Sequence, residues 1–199
     1  MQPRHFGTMF ALTCVTVLSA CSHDGRVMQE PSANQQDSIA VTTTAGAVAE
    51  IAPVGGFALT PPWAEGAQLD PRYTCAAGIS PSLTFQNVAS DIVTLALSIV
   101  DETASNSVQW IVANIQPTDA VVPEGAVPAG AIVATNSAGT LGFSAPCPPA
   151  GQTHTYRLTG YGLSQQIELD TGVDSATLLQ AIELAALDTQ SSSFIVTSN

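Results

Sequence analysis

The sequence predicts an all-β domain, built as a sandwich or a barrel, behind an export signal and a polar stretch. Three observations support this prediction. An apolar run lies close to the first residue, a stretch without aromatic residues follows it, and short β-branched or aromatic runs recur from residue 51 onward. Close spacing of such runs, with Pro, Gly, Asn and Asp between them, is typical of sandwiches and barrels. The 199 residues suffice for one sizeable core, so we expect one domain with extensions.

The first 20 residues have the layout of a cleaved export signal. A short basic start at Arg4 and His5 precedes a mostly apolar run, residues 6–18, which is too short to span a bilayer comfortably. The run ends in the letters LSAC at residues 18–21. We therefore predict a signal peptide over residues 1–20.

Cys21 changes the kind of signal that is expected. A small residue followed by cysteine resembles the lipobox of bacterial lipoproteins, in which the cysteine is acylated and becomes the first residue of the mature protein. Several acyl chains anchor a protein stably, whereas a single chain binds only marginally. Ser22 is not the Asp expected for inner-membrane retention, so the prediction is an outer-membrane lipoprotein that faces the periplasm. The alternative is an ordinary secretory signal with an incidental cysteine.

A polar stretch separates this signal from the strand-like runs. Residues 22–50 are rich in Gln, Ser, Thr and Ala, and they contain no aromatic residue and no sustained period. Such a stretch buries too little apolar surface to offset the entropy of ordering it. Residues 21–50 are therefore predicted to form a lipidated, flexible tether, and residues 51–199 to form the folded domain.

The charge balance excludes one class of partner. The chain has no Lys, and its four Arg residues stand against 16 acidic residues, for a formal net charge of -12. Binding of nucleic acid depends on clustered Lys and Arg that neutralise phosphates, so no nucleic-acid partner is expected. We interpret the acidity chiefly as a source of solubility.

Short runs carry the strand pattern, and one segment differs from them. The runs are GFAL, SLTFQNV, IVTLALSIV, QWIVANI, AIVATN, YRLTGYGL and FIVTS. Residues 174–190 instead place apolar residues at helical spacing, on one face, at Leu178, Leu179, Ile182, Ala185 and Ala186. Asp174 or Ser175 can cap the start of this segment, so we predict one amphipathic helix near the C-terminus.

These landmarks follow one another in a recognisable order. GFALTPPWAEGAQLDPRYTCAAGISPSLTF is followed by TLALSIVDE, QWIVANI, VPEGAVPAGA, TNSAGTLGFSAPCPPAGQTHTYRLTGYGL and the helix. Over about residues 55–199 this order resembles the phosphatidylethanolamine-binding protein family, and more closely its bacterial branch of Raf kinase inhibitor-like proteins. The resemblance implies a β-sandwich of two antiparallel sheets with peripheral helices. It also implies a small pocket at one end that accepts phosphate-like headgroups.

The resemblance further implies which residues line that pocket. The family has a DPDAP run, a later HW pair, and a GPCPP loop followed by HRY. Asp101 matches the first Asp of that run, and His154 and Tyr156 match the His and Tyr after the loop. Ser80 and Pro81 match an SP pair near the pocket.

Departures from the family pattern affect about half of this site. Gln109 stands where the family has the His of the HW pair, and the DPDAP run is altered at Glu102, Thr103 and Ser105. In the intact site, two imidazoles, a Tyr hydroxyl and backbone N–H groups donate to one phosphate, while a carboxylate orients an imidazole. The amide of Gln109 offers only a neutral hydrogen bond, so a weaker and less pH-sensitive anion site is expected.

Two of these residues have plainer alternatives. His154 could be a core histidine that bonds to a loop carbonyl, and Asp101 could cap a strand end or a turn. The segment before His154 contains three prolines, which cannot lie in a central strand, so it is predicted to form a stiff loop.

Cys75 and Cys147 remain as a pair once Cys14 leaves with the signal and Cys21 is acylated. An even pair in an oxidising compartment suggests a disulfide, and the alternative is two buried small apolar side chains. No metal site is expected, because the Cys and His residues lack the paired spacing of zinc ligands. No cofactor is expected either.

The residues do not indicate an enzyme. Nucleophilic catalysis needs a Ser or Cys beside a base that a third group holds, and only His154 could be that base. No G-x-S-x-G elbow or P-loop is present. The predicted function is a membrane-anchored periplasmic protein that binds a phosphate-like anion or a phospholipid headgroup. The alternative is a non-enzymatic interaction or inhibitor protein that binds an envelope protein partner and whose pocket is vestigial.

Overall fold

The structure of the chain is a computed structural model that describes residues 56–118 and 121–198. The predicted signal peptide, the predicted acylation site Cys21, the whole predicted tether and residues 51–55 lie outside the described residues. The strands are β1 (Ala58–Thr60), β2 (Ala67–Gln68), β3 (Leu83–Gln86), β4 (Thr94–Asp101), β5 (Ser107–Ile115), β6 (Val121–Val122), β7 (Ile132–Val133), β8 (Thr153–Leu163) and β9 (Ala186–Thr197). A 3-10 helix spans Pro71–Tyr73 and an α-helix, α1, spans Ser175–Ala185. Within these described ranges, no helix has the length and apolarity needed to cross a membrane.

The strands form two sheets, which confirms the predicted all-β fold class. The small sheet has the order β1-β3-β6, and the large sheet has the order β2-β9-β8-β4-β5-β7. The central ladders of the large sheet are antiparallel, while the short edge strand β2 runs parallel to β9. Both edges of the large sheet are two-residue strands, which leaves few unpaired backbone groups for edge-to-edge association.

The large sheet is the middle layer of the domain. Its face toward the small sheet carries one apolar cluster, which includes Leu59 and Phe85 from the small sheet and Trp110 and Tyr156 from the large sheet. Its other face packs against α1 through a second cluster. Strand β4 is therefore buried on both faces, which explains its nearly continuous apolar sequence TLALSIV.

Two glycines of β8 allow close packing against the large sheet. A Cβ atom added to Gly160 would lie 2.9 Å from Leu59 Cδ2, and one added to Gly162 would lie 2.4 Å from Ile92 Cδ1. Both distances are shorter than carbon atoms tolerate, so these positions accept only glycine without a shift of their neighbours.

The predicted C-terminal helix is present but shorter than predicted. It starts after Asp174, whose carboxylate accepts a hydrogen bond from the Thr177 amide at 2.9 Å. The prediction of helix beyond Ala185 was wrong, because residues 186–190 belong to β9 and pair with β8. Sheet pairing along the whole length of β8 outweighs the helical spacing of these few residues.

Candidate functional site

Asp101 and His154 form a buried hydrogen-bonded pair at one end of the large sheet. Asp101 is the last residue of β4, and His154 is the second residue of the neighbouring strand β8. The Oδ2 atom of Asp101 lies 2.8 Å from Nδ1 of His154, and the residues are 4% and 8% exposed. A carboxylate held this close to an imidazole fixes the orientation of the ring.

The second oxygen of Asp101 closes a turn. Oδ1 accepts hydrogen bonds from the backbone amides of Thr103 and Ala104, both at 3.0 Å. These two bonds hold the carboxylate so that Oδ2 faces His154. Asp101 therefore caps a turn, as the alternative in the sequence analysis proposed, and it also contacts His154.

The hydrogen bonds of His154 define its protonation states. Nδ1 donates to Asp101, so a neutral ring presents a lone pair at Nε2. Nε2 lies 3.2 Å from Oε1 of Gln152, which is also an acceptor. This contact requires either a protonated imidazolium or a Gln152 amide turned by half a rotation, so that its NH₂ group donates. Nε2 is thus the ring atom whose partner, the exposed Gln152 side chain, is readily exchanged.

Tyr156 lies beside this pair as a neutral group. Its ring stacks on Phe194 with centroids 5.1 Å apart, and its centroid is 6.3 Å from that of His154. Burial, followed by the neighbouring Asp101 carboxylate, raises the pKa of the Tyr156 hydroxyl above its ordinary value. The hydroxyl therefore stays protonated at neutral pH and is able to donate a hydrogen bond.

Gln109 occupies a β-bulge at the same end of the sheet. Ile99 pairs with Trp110 and Val100 pairs with Val108, so Gln109 is the additional residue of β5. Bulges re-aim side chains near functional sites. The Gln109 amide lies 3.4 Å from both the carbonyl and hydroxyl oxygens of Ser107, which are long hydrogen bonds that a ligand could replace.

The proline-containing loop is fastened on both sides. Cys75 and Cys147 form a disulfide with their Cα atoms 5.4 Å apart, and the Cys75 amide donates to the carbonyl of Pro146 at 3.2 Å. At the start of the loop, the Ser144 amide donates to the Gln109 carbonyl at 2.8 Å. This loop therefore connects the Gln109 bulge to the start of β8, where His154 lies.

Ser80 and Pro81 are buried, and Ser80 lines a cleft of about 430 Å³. Trp110 and Phe143 form part of that cleft, with ring centroids 5.5 Å apart. Among the described residues, Nε1 of Trp110 has no hydrogen-bond partner. Asp101, His154 and Tyr156 lie together. Ser80 lines this cleft, and among the described residues it makes no hydrogen bond to the Asp101–His154 pair.

Gln152 is the site residue that the sequence analysis missed. It lies two positions before His154 and directly before β8, and alternate residues of an extended segment point to the same side. That period-two relation is the signal that could have identified it.

The two arginines of the described residues are already paired. Arg157 Nε lies 2.6 Å from Glu102 Oε1, and Arg72 Nη1 lies 3.6 Å from Glu124 Oε2. In the described residues, His154 is therefore the side chain at the site that becomes cationic when protonated. No group of three or more His, Cys, Asp or Glu side chains in this part of the chain is arranged to hold a metal ion.

Comparison with known proteins agrees with the resemblance noted in the sequence. The sequence profile of the phosphatidylethanolamine-binding protein family matches residues 60–196. The chain belongs to the phosphatidylethanolamine-binding protein family. The matched range contains every predicted site residue of the folded domain, from Ser80 to Tyr156.

Curated relatives and solved structures extend this result. The chain is 33% identical over 181 residues to a Mycobacterium tuberculosis protein named "Putative lipoprotein LppC", which covers 88% of this chain and 87% of the relative. It is 35% identical over 120 residues to a UPF0098 protein of Methanothermobacter thermautotrophicus, covering 56% of this chain and 79% of that protein. Two crystal structures of family members, CT736 from Chlamydia trachomatis and YbcL from E. coli, superpose with TM-scores of 0.66 at 27% and 25% identity. They cover 73% and 72% of this chain and 99% of each of those chains.

Proposed function

We propose that this family member is a non-enzymatic, membrane-anchored binding protein whose site takes a small phosphate-type anion, either free or as a phospholipid headgroup. The observation that carries the proposal is the pair of contacts made by the two ring nitrogens of His154. Asp101 holds Nδ1 at 2.8 Å, and Nε2 contacts the exposed, exchangeable side chain of Gln152 at 3.2 Å. A ligand oxygen that replaces the Gln152 oxygen receives a hydrogen bond from a positioned imidazolium.

Anion binding at this site requires a proton. Because Nδ1–H is committed to Asp101, a neutral ring presents a lone pair at Nε2, which repels an anion. An imidazolium instead donates a charge-assisted hydrogen bond, which is about twice as strong as a neutral one. Affinity for an anion therefore rises as the pH falls, and the Gln109 amide adds a neutral donor nearby.

The contacts of His154 also support a binding role rather than catalysis. Its ring nitrogens face Asp101 and Gln152, and neither is a hydroxyl or thiol nucleophile. The two cysteines of the described domain are joined to each other. A triad would need a Ser, Thr or Cys oxygen or sulfur at Nε2, where the Gln152 amide lies.

Sulfate is the sharpest probe, because its charge does not change across the pH range in which histidine titrates. We would follow the ring signals of His23 and His154, the histidines that remain once residues 1–20 are removed, by NMR in the mature lipidated protein, in neutral detergent, during sulfate, phosphate and phosphoethanolamine titrations. A saturable shift of the His154 ring that is stronger at pH 5.5 than at pH 8, together with a shift of the Gln152 side-chain amide that His154→Gln abolishes while the matched His23→Gln does not, supports the proposal. No shift up to tens of millimolar refutes it.

Two further arms separate the ligand sources and test the anchor. Stronger binding of phosphoethanolamine than of phosphate favours a phospholipid headgroup, whereas equal binding favours a free anion. The letters LSAC at residues 18–21, together with the name of the Mycobacterium relative, support lipidation at Cys21. We expect Cys21→Ser to move the protein from the outer-membrane fraction to the soluble periplasm, while Cys14→Ser leaves it on the membrane.

A further inference from the structure

Two leucines at the end of α1 are turned toward solvent. Leu184 is 83% exposed and Leu187 is 50% exposed. In the register of β8 and β9, Leu163 pairs with Ala186 and Gly162 pairs with Asp188, so Leu187 is the additional residue of a β-bulge. The bulge is what turns Leu187 outward immediately after the helix. Large apolar side chains placed outward together in this way mark interaction surfaces.

A groove runs beside Leu184. It has a volume of about 450 Å³ and lies between α1 and the segment that follows β8. On the helix it is lined by Thr177, Gln180, Ala181 and Leu184, which are spaced as one face of a helix. The facing wall is residues 165–169, with Ile167 and Leu169 as its apolar members. The groove and the two leucines are hereafter the α1 groove.

The charges around the α1 groove all have one sign. The exposed acids are Glu168, Asp170, Glu183 and Asp188. Glu183 and Asp188 flank the two leucines in the sequence ELAALD. The arginines of the described domain are engaged elsewhere, Arg157 with Glu102 and Arg72 with Asp70 and Glu124. A partner for this surface must therefore supply its own cations.

We propose that the α1 groove docks a basic amphipathic helix of another protein. Its apolar side chains would lie along Ala181, Leu184 and Leu187, and its Lys or Arg residues would face the flanking acids. This is the helix-in-groove mode of recognition with charge complementarity on the rim. A second copy of the chain would bring a net charge of -12 against the same acids, and an anionic lipid surface would be repelled in the same way.

The docking surface is separate from the anion site. Helix α1 packs on the face of the large sheet opposite to the small sheet, in a different apolar cluster from Tyr156. Failure of anion binding would leave this proposal standing, and the reverse is also true.

A synthetic peptide tests the proposal directly. The probe is a fluorescently labelled helix of about 14 residues, or about 21 Å, with Leu at every third or fourth position and Lys elsewhere. Its anisotropy is measured against the full-length protein in neutral detergent, and hydrogen exchange maps the contact. We expect saturable binding, protection of residues 165–169 and 177–187, and at least about a tenfold loss of affinity, or about 1.4 kcal/mol, in Leu184→Ser. The matched control is Val121→Ser, at a residue of the small sheet that is 50% exposed.

The charges are tested separately. Glu183→Gln with Asp188→Asn should weaken binding several-fold and reduce its dependence on salt. Equal binding by Leu184→Ser and Val121→Ser, or equal affinity for a Leu/Glu peptide, overturns the proposal. Concentration-dependent dimerisation that Leu184→Ser abolishes also overturns it, because the surface would then be a self-association interface.

Discussion

Replacement of Asp101 tests whether one carboxylate both closes a turn and holds the histidine. Its two oxygens accept hydrogen bonds from the Thr103 and Ala104 amides at 3.0 Å and from His154 at 2.8 Å. Asp101→Ala removes both acceptor oxygens and with them all three hydrogen bonds. Thr103 is exposed and Ala104 is half-buried, so water is able to replace the acceptor at those amides, whereas His154 is buried. We expect a loss of about 3 kcal/mol in the free energy of unfolding, about 2 from His154 and about 0.5 from each amide.

Asp101→Asn separates the two roles of the side chain. The amide oxygen still accepts from the turn, and the NH₂ group lies opposite Nδ1, so the cost should fall to about 1 kcal/mol. Nδ1 must then accept, which moves the proton of the neutral ring to Nε2 and reverses the tautomer. That reversal should weaken the pH dependence of anion binding.

Urea unfolding with the disulfide intact measures the stabilities, and ring nitrogen shifts of His154 report the tautomer. The matched control is Asp91→Asn, at an exposed loop carboxylate, which should change neither quantity. If Asp101→Ala and Asp101→Asn cost the same, or if the tautomer is unchanged in Asp101→Asn, then Asp101 does not hold His154 as described.

Three other predictions follow from the packing, and urea unfolding checks each. Burial and the Asp101 carboxylate raise the pKa of the Tyr156 hydroxyl, so this hydroxyl ionises at lower pH in the unfolded chain than in the folded one. The free energy of unfolding should therefore fall as the pH rises past about 10. Tyr156→Phe should make that fall less steep, and an unchanged dependence on pH would contradict the prediction. Cys75 and Cys147 are 72 residues apart, so Cys75→Ser with Cys147→Ser should lower the free energy of unfolding by about 4 kcal/mol. A loss near zero would mean that the unfolded chain is constrained even without the disulfide. A Cβ at Gly162 would lie 2.4 Å from Ile92 Cδ1, so Gly162→Ala should lower the free energy of unfolding by about 1–3 kcal/mol. Adding Ile92→Val removes the clashing Cδ1 and should recover part of this loss. If the losses of the two substitutions simply add, the clash is not with Ile92.

The strands were predictable where their signal lies within a few consecutive residues. Period-two and apolar runs identified β4, β5 and β8, and Asp174 identified the start of α1, because each signal acts within a few residues. The end of α1 was not predictable in this way. Residues 186–190 keep a helical spacing, but their partners in β8 are more than twenty residues away, and sheet pairing decides their conformation.

Part of the candidate site was also predictable from the sequence. The order of motifs identified Asp101, His154 and Tyr156, which the structure places together. The bulge at Gln109 depends on the pairing of β4 with β5, and the contact of Gln152 depends on the tautomer of His154, so neither could be assigned from residue type alone. Ser80 shares the family motif, yet in this structure it lines the cleft of Trp110.

The position of strand β9 in the large sheet affects when the domain can fold during synthesis. It is the last strand in the sequence but the second in the large sheet, between β2 and β8, and its Val196 pairs with His154. The pairing of β9 with β8 and β2 forms only after β9 has been synthesised. Domains ordinarily begin to fold during synthesis, from the N-terminal side. Under the export proposed above, this order would favour a chain that crosses the membrane unfolded, because β8 and β9 pair only after both strands have crossed.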